Sequence, residues 1–361
     1  CALVSDLRRN RFERPREVGM ASVTLKDVAE RAGVDVSTAS RALSPEKSSL
    51  VAPATRRIVI EAAQALGYRT NLQASALRRG RTGIVGVIVA DISNPFIGPV
   101  IRGVTHGLGG RDLLPIMTET RDSSGELAQI CEKLLAQRVD GIITTAARYG
   151  DRALLRRVAA EVPTVLAVRE LPGSGIPSIT HDDVTGGRLA AEHLLSLGQR
   201  RFAQLMGPQD IWAFEGRSQG FRDAVLAAGA SCEDVRTRSR LPTADAGREM
   251  ASELLDRNGE PPTAIFAHND SIAIGALGVL LERGFGCPDD VSIVGYNDVP
   301  LTAHLNPPLT TIRLPGYELG RLAAELVISP AAGTVGAAGK VQLAPELVVR
   351  GSTGPANVTP T

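Results

Sequence analysis

The sequence predicts a small all-α head followed by a two-lobed α/β body of doubly wound sheets. Three observations carry this prediction. Two short helical patterns meet at a single glycine between residues 24 and 43. From Gly83 onward, strand-length apolar runs alternate with helix-length runs, and the alternation restarts after residue 182. Charge also changes sign along the chain. Residues 22–81 hold ten Lys/Arg against five Asp/Glu, residues 1–21 five against three, and the remainder twenty-five against thirty-one. The 361 residues, 43% hydrophobic and 22% charged, suffice for two or three domains with buried cores.

Residues 1–21 carry five arginines and little apolar periodicity, and are read as a disordered basic extension or an upstream-start artefact. The head spans 22–68. Thr24 is placed to cap a first helix, with Asp27 three residues on completing a capping box. Leu25, Val28, Ala29 and Ala32 form its inner face, and Gly33 ends it in a left-handed turn. Asp35 caps a second helix over Val36–Leu43, with Ala39 and Leu43 inward and Val36, Ser37, Ser40 and Arg41 toward the other side. Pro53 opens a third helix, with Ile58, Ala62, Ala65 and Leu66 inward and Arg56 and Arg57 outward, and Gly67 closes it. Two short helices about a glycine turn with a third in support make a helix-turn-helix. In that motif the second helix enters the major groove. A three-helix bundle without a ligand has the same pattern, so the basic charge is the second argument for a polyanion partner.

The run Val23-Thr-Leu-Lys-Asp-Val-Ala-Glu-Arg-Ala-Gly-Val-Asp-Val-Ser-Thr-Ala-Ser-Arg-Ala-Leu43 resembles the DNA-binding head of the LacI/GalR family of bacterial repressors. So does Ala65-Leu-Gly-Tyr-Arg-Thr-Asn71 followed by Leu72-Gln-Ala-Ser-Ala-Leu77, and the resemblance runs to about residue 354. It implies that Val36, Ser37 and Arg41 read bases. Arg41 would pair bidentately with a guanine, and Val36 would offer apolar contact to a thymine methyl. Thr24 and Ser40 would hold phosphates, which sets register without reading sequence. Residues 69–82 resemble the family's hinge helix and linker. Asn71 begins the hinge, and Leu77 would wedge into a minor-groove step with Ala74 alongside. So short a helix is marginal alone and is implied to form when two subunits pair on DNA.

The body, 83–354, opens with the apolar run Ile84–Ala90, a buried parallel strand. Helices near 97–109, 123–137 and 150–160 alternate with strands near 113–118, 139–144 and 162–168. A second series places helices near 183–198, 214–229, 244–258 and 271–284 among strands near 201–206, 235–240, 263–267 and 291–296. Ligands in such sheets sit beyond the carboxyl ends of the strands, and the cleft between two lobes is the default site. The resemblance implies a periplasmic-binding-protein-like fold crossed three times by the chain, near 181, 305 and 335. The N-lobe would then hold 83–181 and 306–335, and the C-lobe 182–305 and 336–354, with Val341–Arg350 as a last strand of the C-lobe. Residues 355–361 are a tail without a leucine heptad, which argues against a tail-mediated tetramer.

Six residues are candidates for the cleft. Arg217 and Asn269 match family residues that grip an effector, and Asp270 reads as a helix cap. Asp91 and Phe96 end the first strand. Asn297 stands where the family usually has an effector-binding aspartate. Val168 also replaces a common aspartate, with Arg169 beside it. The stacking aromatic is missing near Pro242, where Trp212 is a possible substitute. An amide accepts and donates where a carboxylate only accepts. These departures weaken a plain sugar pocket and leave a phosphorylated or carboxylate ligand, a nucleobase, or no strong effector open beside the sugar or sugar derivative that the resemblance implies.

Enzyme chemistry is not expected. Gly216-Arg-Ser-Gln-Gly220 spells a nucleophile elbow, but its serine falls inside a helix pattern rather than on a strand-to-helix turn. No P-loop, G-x-G-x-x-G or H-E-x-x-H occurs, and the five histidines lack metal spacing, so no cofactor is expected. Four scattered cysteines, no apolar span and no signal core at Cys1–Asp6 indicate a cytoplasmic protein without a membrane partner. A transport-type solute-binding protein without DNA function would share the body but not the basic head. The expectation is a ligand-responsive transcriptional regulator, most often a repressor in this family, bound as a homodimer to a pseudo-palindromic operator.

Overall fold

The computed structural model describes residues 23–44, 47–68, 81–111, 113–239, 241–257, 260–329 and 339–356. The chain forms two compact units, 1–80 and 81–361. In the first, α1 (Leu25–Ala32), α2 (Val36–Leu43) and α3 (Pro53–Leu66) pack around Val28, Ala29, Ala39, Ala42, Val59, Ala62 and Ala63. The helix ends follow the sequence logic. Asp27 N–H donates to Thr24 Oγ1 at 3.4 Å while Asp27 Oδ2 accepts from Thr24 N at 2.7 Å, and Gly33 and Gly67 take φ of 67° and 64°. The inner face of α3 differs from the expected one. Ile58 and Ala65 are exposed, and Val59 and Ala63 are buried beside Ala62. Both faces are apolar by composition, so periodicity alone leaves the phase free by one position. The expected hinge residues Asn71, Ala74 and Leu77 lie outside the described residues, as do 1–22 and 357–361.

The second unit holds two sheets. The N-lobe sheet runs β11 (Lys340–Leu343), β5 (Ser178–His181), β4 (Thr164–Ala167), β3 (Gly141–Thr144), β1 (Ile84–Val89), β2 (Leu114–Glu119), all parallel. The C-lobe sheet runs β12 (Glu346–Val348), β10 (Thr310–Arg313), β9 (Ser292–Asn297), β8 (Ala264–Ala267), β6 (Arg201–Met206), β7 (Ser231–Arg236), parallel except for β12. Helices α4 (Ile97–Leu108), α5 (Ser124–Ala136), α6 (Arg152–Glu161) and α11 (Gly316–Ile328) belong to the N-lobe. Helices α7 (Asp183–Ser196), α8 (Trp212–Ala227), α9 (Ala244–Leu255) and α10 (Asp270–Glu282) belong to the C-lobe.

Three helix pairs cross at glycines so close that a Cβ would strike the partner backbone. It would stand 2.0 Å from Val100 O at Gly320 (α4/α11), 1.9 Å from Val184 O at Gly220 (α7/α8), and 1.9 Å from Ala244 O at Gly275 (α9/α10). Gly216 and Gly220 therefore serve helix packing, and Ser218 lies inside α8 between them.

The chain crosses between lobes three times, and two crossings differ from the expected positions. The first follows His181. The second follows Arg313 rather than 305, because β10 still belongs to the C-lobe sheet. The sequence hides β10 because two of its four residues are buried threonines. Thr310 N–H is satisfied by Ser352 Oγ at 2.8 Å and the Thr311 hydroxyl by Asp270 Oδ1 at 2.6 Å. The third crossing lies at 344–345 rather than 335. The stretch expected as one C-lobe strand is two, β11 in the N-lobe sheet and β12 in the C-lobe sheet. Pro345 between them has no N–H to continue a ladder.

Candidate DNA-reading face and ligand cleft

Helix α2 buries Ala39 and Ala42 and turns Val36, Ser37 and Arg41 outward, with Val36 45% exposed and Ser40 half-buried. Asp35 caps the helix: its Oδ1 accepts from Thr38 N–H at 2.9 Å and from the Ser37 hydroxyl at 2.5 Å. Its Oδ2 accepts from the Thr38 hydroxyl. The Ser37 and Thr38 bonds hold the Asp35 carboxyl well below the usual carboxylate range. Arg41, one turn after Ser37, donates from Nη2 to Ser37 Oγ at 2.7 Å and from Nε to the Ser37 carbonyl at 3.2 Å. Thr24 remains exposed at the start of α1, where free amides and the helix dipole suit a phosphate.

In the second unit a cavity of about 260 Å³ lies between the carboxyl ends of the two sheets. Asp91, Phe96, Arg169, Arg217, Asn269 and Asn297 all line it. Their segments explain the convergence. Asp91 and Phe96 join β1 to α4, Arg169 follows β4, Asn269 joins β8 to α10, Asn297 ends β9, and Arg217 sits one turn into α8.

Arg217 is 4% exposed. Its Nε binds Asp183 Oδ1 at 2.8 Å, its Nη1 donates to the His268 carbonyl, and its guanidinium lies 3.9 Å over the Tyr296 ring. Burial raises the Asp183 carboxyl, and Arg217 opposes that shift. Asn269, rather than the expected Asp270, is the cap of α10. Its Oδ1 accepts from Ile272 N–H at 2.7 Å and its Nδ2 donates to the Pro242 carbonyl at 2.8 Å. Asp270 is buried beneath. It accepts from Val299 N–H at 2.8 Å and from Thr311, and burial pushes its carboxyl up to about 7. Asn297 is 8% exposed at φ 116°, a left-handed conformation rare outside glycine, and its Oδ1 has no hydrogen-bond partner among the described residues. Val168 also lines the cavity at φ 68°.

Asp122, Thr145 and Phe214 line the cavity as well and were not anticipated. Phe214 supplies an aromatic wall, and Trp212, the substitute considered from the sequence, does not line the cavity. No local signal marks Asp122, since its position depends on a left-handed turn after β2, with φ 55°. Its fully buried carboxylate is held by both terminal nitrogens of Arg169, and Arg148 Nη1 stands 3.3 Å away. Arg148 in turn binds Asp210 of the C-lobe through Nε and Nη2, at 2.8 and 2.7 Å. Beside it, Tyr149 N–H donates to the Asp210 carbonyl at 3.0 Å and the Tyr149 hydroxyl to Glu215. A cavity arginine is thus joined through buried charges to a latch across the lobes. His181 and His268 are buried behind the cavity rather than lining it. His268 is held by Gly207 N–H and Gln204, and the His181 ring nitrogens have no hydrogen-bond partner among the described residues.

Residues 24–71 match the bacterial regulatory proteins of the lacI family, and residues 191–353 match the periplasmic binding protein-like domain. The chain is 34% identical to the HTH-type transcriptional regulator DegA of Bacillus subtilis, over 92% of this chain and 99% of that one. The chain belongs to the LacI family. It is also 31% identical to the HTH-type transcriptional repressor CytR of Escherichia coli, over 92% of this chain and 96% of the relative. Among solved structures, the Lac repressor dimer bound to operator and the anti-inducer ONPF matches with a TM-score of 0.82 at 27% identity, over 92% of this chain and 99% of that one. The transcriptional regulator CelR–cellobiose complex matches with a TM-score of 0.67 at 32% identity, over 91% and 99%. Like its LacI-family relatives, the protein is a ligand-responsive DNA-binding transcriptional regulator and not an enzyme. No helix among the described residues is long and apolar enough to cross a membrane.

Proposed function

We propose that the protein is a cytoplasmic homodimeric repressor that binds a pseudo-palindromic operator and is controlled by a neutral sugar or sugar derivative in the interlobe cavity. One observation carries the choice of ligand: both cavity arginines are already committed to buried carboxylates, Arg217 to Asp183 and Arg169 to Asp122. An anionic effector would meet guanidinium charge that a buried carboxylate already balances and would be repelled by that carboxylate, whereas a neutral hydroxyl can use the remaining N–H donors without that repulsion. What remains open suits hydroxyl groups. Asp91 uses Oδ1 on Ser93, accepting from N at 2.8 Å and from Oγ at 2.6 Å, and Asn297 and Asn269 place uncharged amides in the lining. Phe96 and Phe214 provide apolar faces. The sugar in the CelR–cellobiose complex supports the same class.

Arg41 reads a guanine, Val36 and Ser37 contact neighbouring bases, and Thr24 and Ser40 hold phosphates. Asn71, Ala74 and Leu77 would form the hinge between the two units and the minor groove. The Lac repressor dimer supports a twofold assembly. So does β2, the open edge of the N-lobe sheet, where Leu114 and Met117 are 61% and 43% exposed. Each subunit supplies one reading head, so two half-sites are required. The effector acts by its differential affinity for two lobe arrangements.

The test is selection of duplexes from a random pool, followed by thermal melting against neutral sugars, sugar phosphates and nucleosides. A palindromic enriched site, and a neutral sugar that both raises the melting temperature and changes operator affinity, are expected. Stabilisation by sugar phosphates alone would overturn the ligand class. Arg41→Ala should lose about 1–3 kcal/mol of discrimination at one base pair per half-site, with non-specific binding retained. Equal losses on random duplexes would remove Arg41 from base reading.

A further inference from the structure

We propose that Asp35 is a specificity-determining positioning residue: through the Ser37 hydroxyl it holds the Arg41 guanidinium with its outer edge free, so that α2 presents a preset bidentate donor to guanine. This rests on the reading of α2 as the helix that enters the major groove.

A guanidinium carries five N–H donors in a rigid plane. The Nε/Nη2 edge of Arg41 is spent on Ser37, at 3.2 Å to the carbonyl and 2.7 Å to the hydroxyl. The opposite edge keeps two parallel N–H groups, one from Nη1 and one from Nη2, which match guanine O6 and N7. A serine hydroxyl has one donor and two lone pairs. Asp35 Oδ1 takes the donor at 2.5 Å, which fixes the rotor and turns a lone pair toward Arg41. The order Arg41, Ser37, Asp35 is therefore a one-way chain of donors, anchored on a carboxylate that stays ionised. A long, rotamer-rich side chain loses less freedom on binding when it is already held, and that gain goes to the correct base.

Capping alone does not account for the arrangement. The cap needs only an acceptor for Thr38 N–H, which serine or asparagine supplies equally well. The additional acceptor at 2.5 Å from Ser37 is the feature that reaches the reading face. Asp35→Ser keeps a cap but is too short to receive the Ser37 hydroxyl. Asp35→Asn removes the charge but keeps an oxygen where Oδ1 stands.

The experiment uses the full chain and the duplex it enriches from a random pool, with single-base variants at the pair that Arg41→Ala no longer distinguishes. Asp35→Ser should lose about three- to tenfold of the discrimination at that pair, with its melting temperature near wild type, and Asp35→Asn should restore most of it. Asp35→Ser should add nothing at that pair in a Ser37→Ala background, because the two residues act in series. Unchanged discrimination in Asp35→Ser overturns the proposal. So does an equal change on all duplexes in both Asp35 variants, which marks simple charge repulsion from phosphates, and so does a full additional loss in the Ser37→Ala background. A pool from which wild type enriches nothing overturns the groove-reading role as well.

Discussion

Arg217 is gripped by Asp183 and the His268 carbonyl and lies over Tyr296, so its side chain supports the C-lobe as well as facing the cavity. Arg217→Ala should cost about 3–5 kcal/mol in denaturant melts, because it strands the buried Asp183 carboxylate. Pairing it with Asp183→Ala should recover part of that loss. Strict additivity of the two would show that the pair is not coupled. His181 makes a second prediction. Burial, reinforced by the nearby Arg217 charge, lowers its ring pKa to about 3. The unfolded chain therefore binds a proton below about pH 6.5 that the folded chain refuses. This contribution is present above about pH 6.5 and is lost as pH falls toward 3. Relative to His181→Gln, wild type should lose up to about 1.4 kcal/mol per pH unit across that window. Parallel profiles would contradict it. At this scale the cleft was legible where a residue sits at a strand end, as Asp91, Asn269 and Asn297 do. Asp122 was not, since its role comes from two arginines 26 and 47 positions away.

Two of the three glycines in helix α4 have opposite prospects. Gly98 has nothing within 4 Å of an added Cβ, whereas at Gly103 that atom would lie 2.0 Å from Tyr317 O on α11. Gly98→Ala should stabilise by up to about 1 kcal/mol through helix propensity. Gly103→Ala should destabilise by about 1–3 kcal/mol or more, since backbone cannot step aside as a side-chain tip can. Equal effects in thermal melts would mean that the α4/α11 crossing is looser than described. Strands β1, β3 and β8 were readable because both faces of a covered parallel sheet are apolar. Strand β10 was hidden, because its threonines are satisfied by Ser352 and Asp270 from distant parts of the chain. The serine motif in α8 misleads for a related reason: its glycines answer to α7, a neighbour that sequence order does not announce.

Across the body, the chain of charges from Arg169 through Asp122 and Arg148 to Asp210 ties cavity to latch. Burial pushes the Asp210 carboxyl up, but the Arg148 guanidinium outweighs it and the net shift is down. The tie is therefore complete above the usual carboxylate range and weakens as pH falls through the lowered value. Asp210→Asn should widen the distance between fluorophores placed on the two lobes and weaken sugar binding, and acid should widen wild type more than the variant. An unchanged distance would mean that the latch does not govern lobe spacing. The three connectors between lobes have a consequence of their own. A single cut after His181, near Pro315 or at Pro345 leaves both halves tied by the remaining two. Neither half is a continuous stretch of polypeptide. Truncation at any one residue therefore cannot isolate one lobe free of segments of the other, and during synthesis the N-lobe sheet lacks its edge strand until residue 343 and the C-lobe sheet until residue 348.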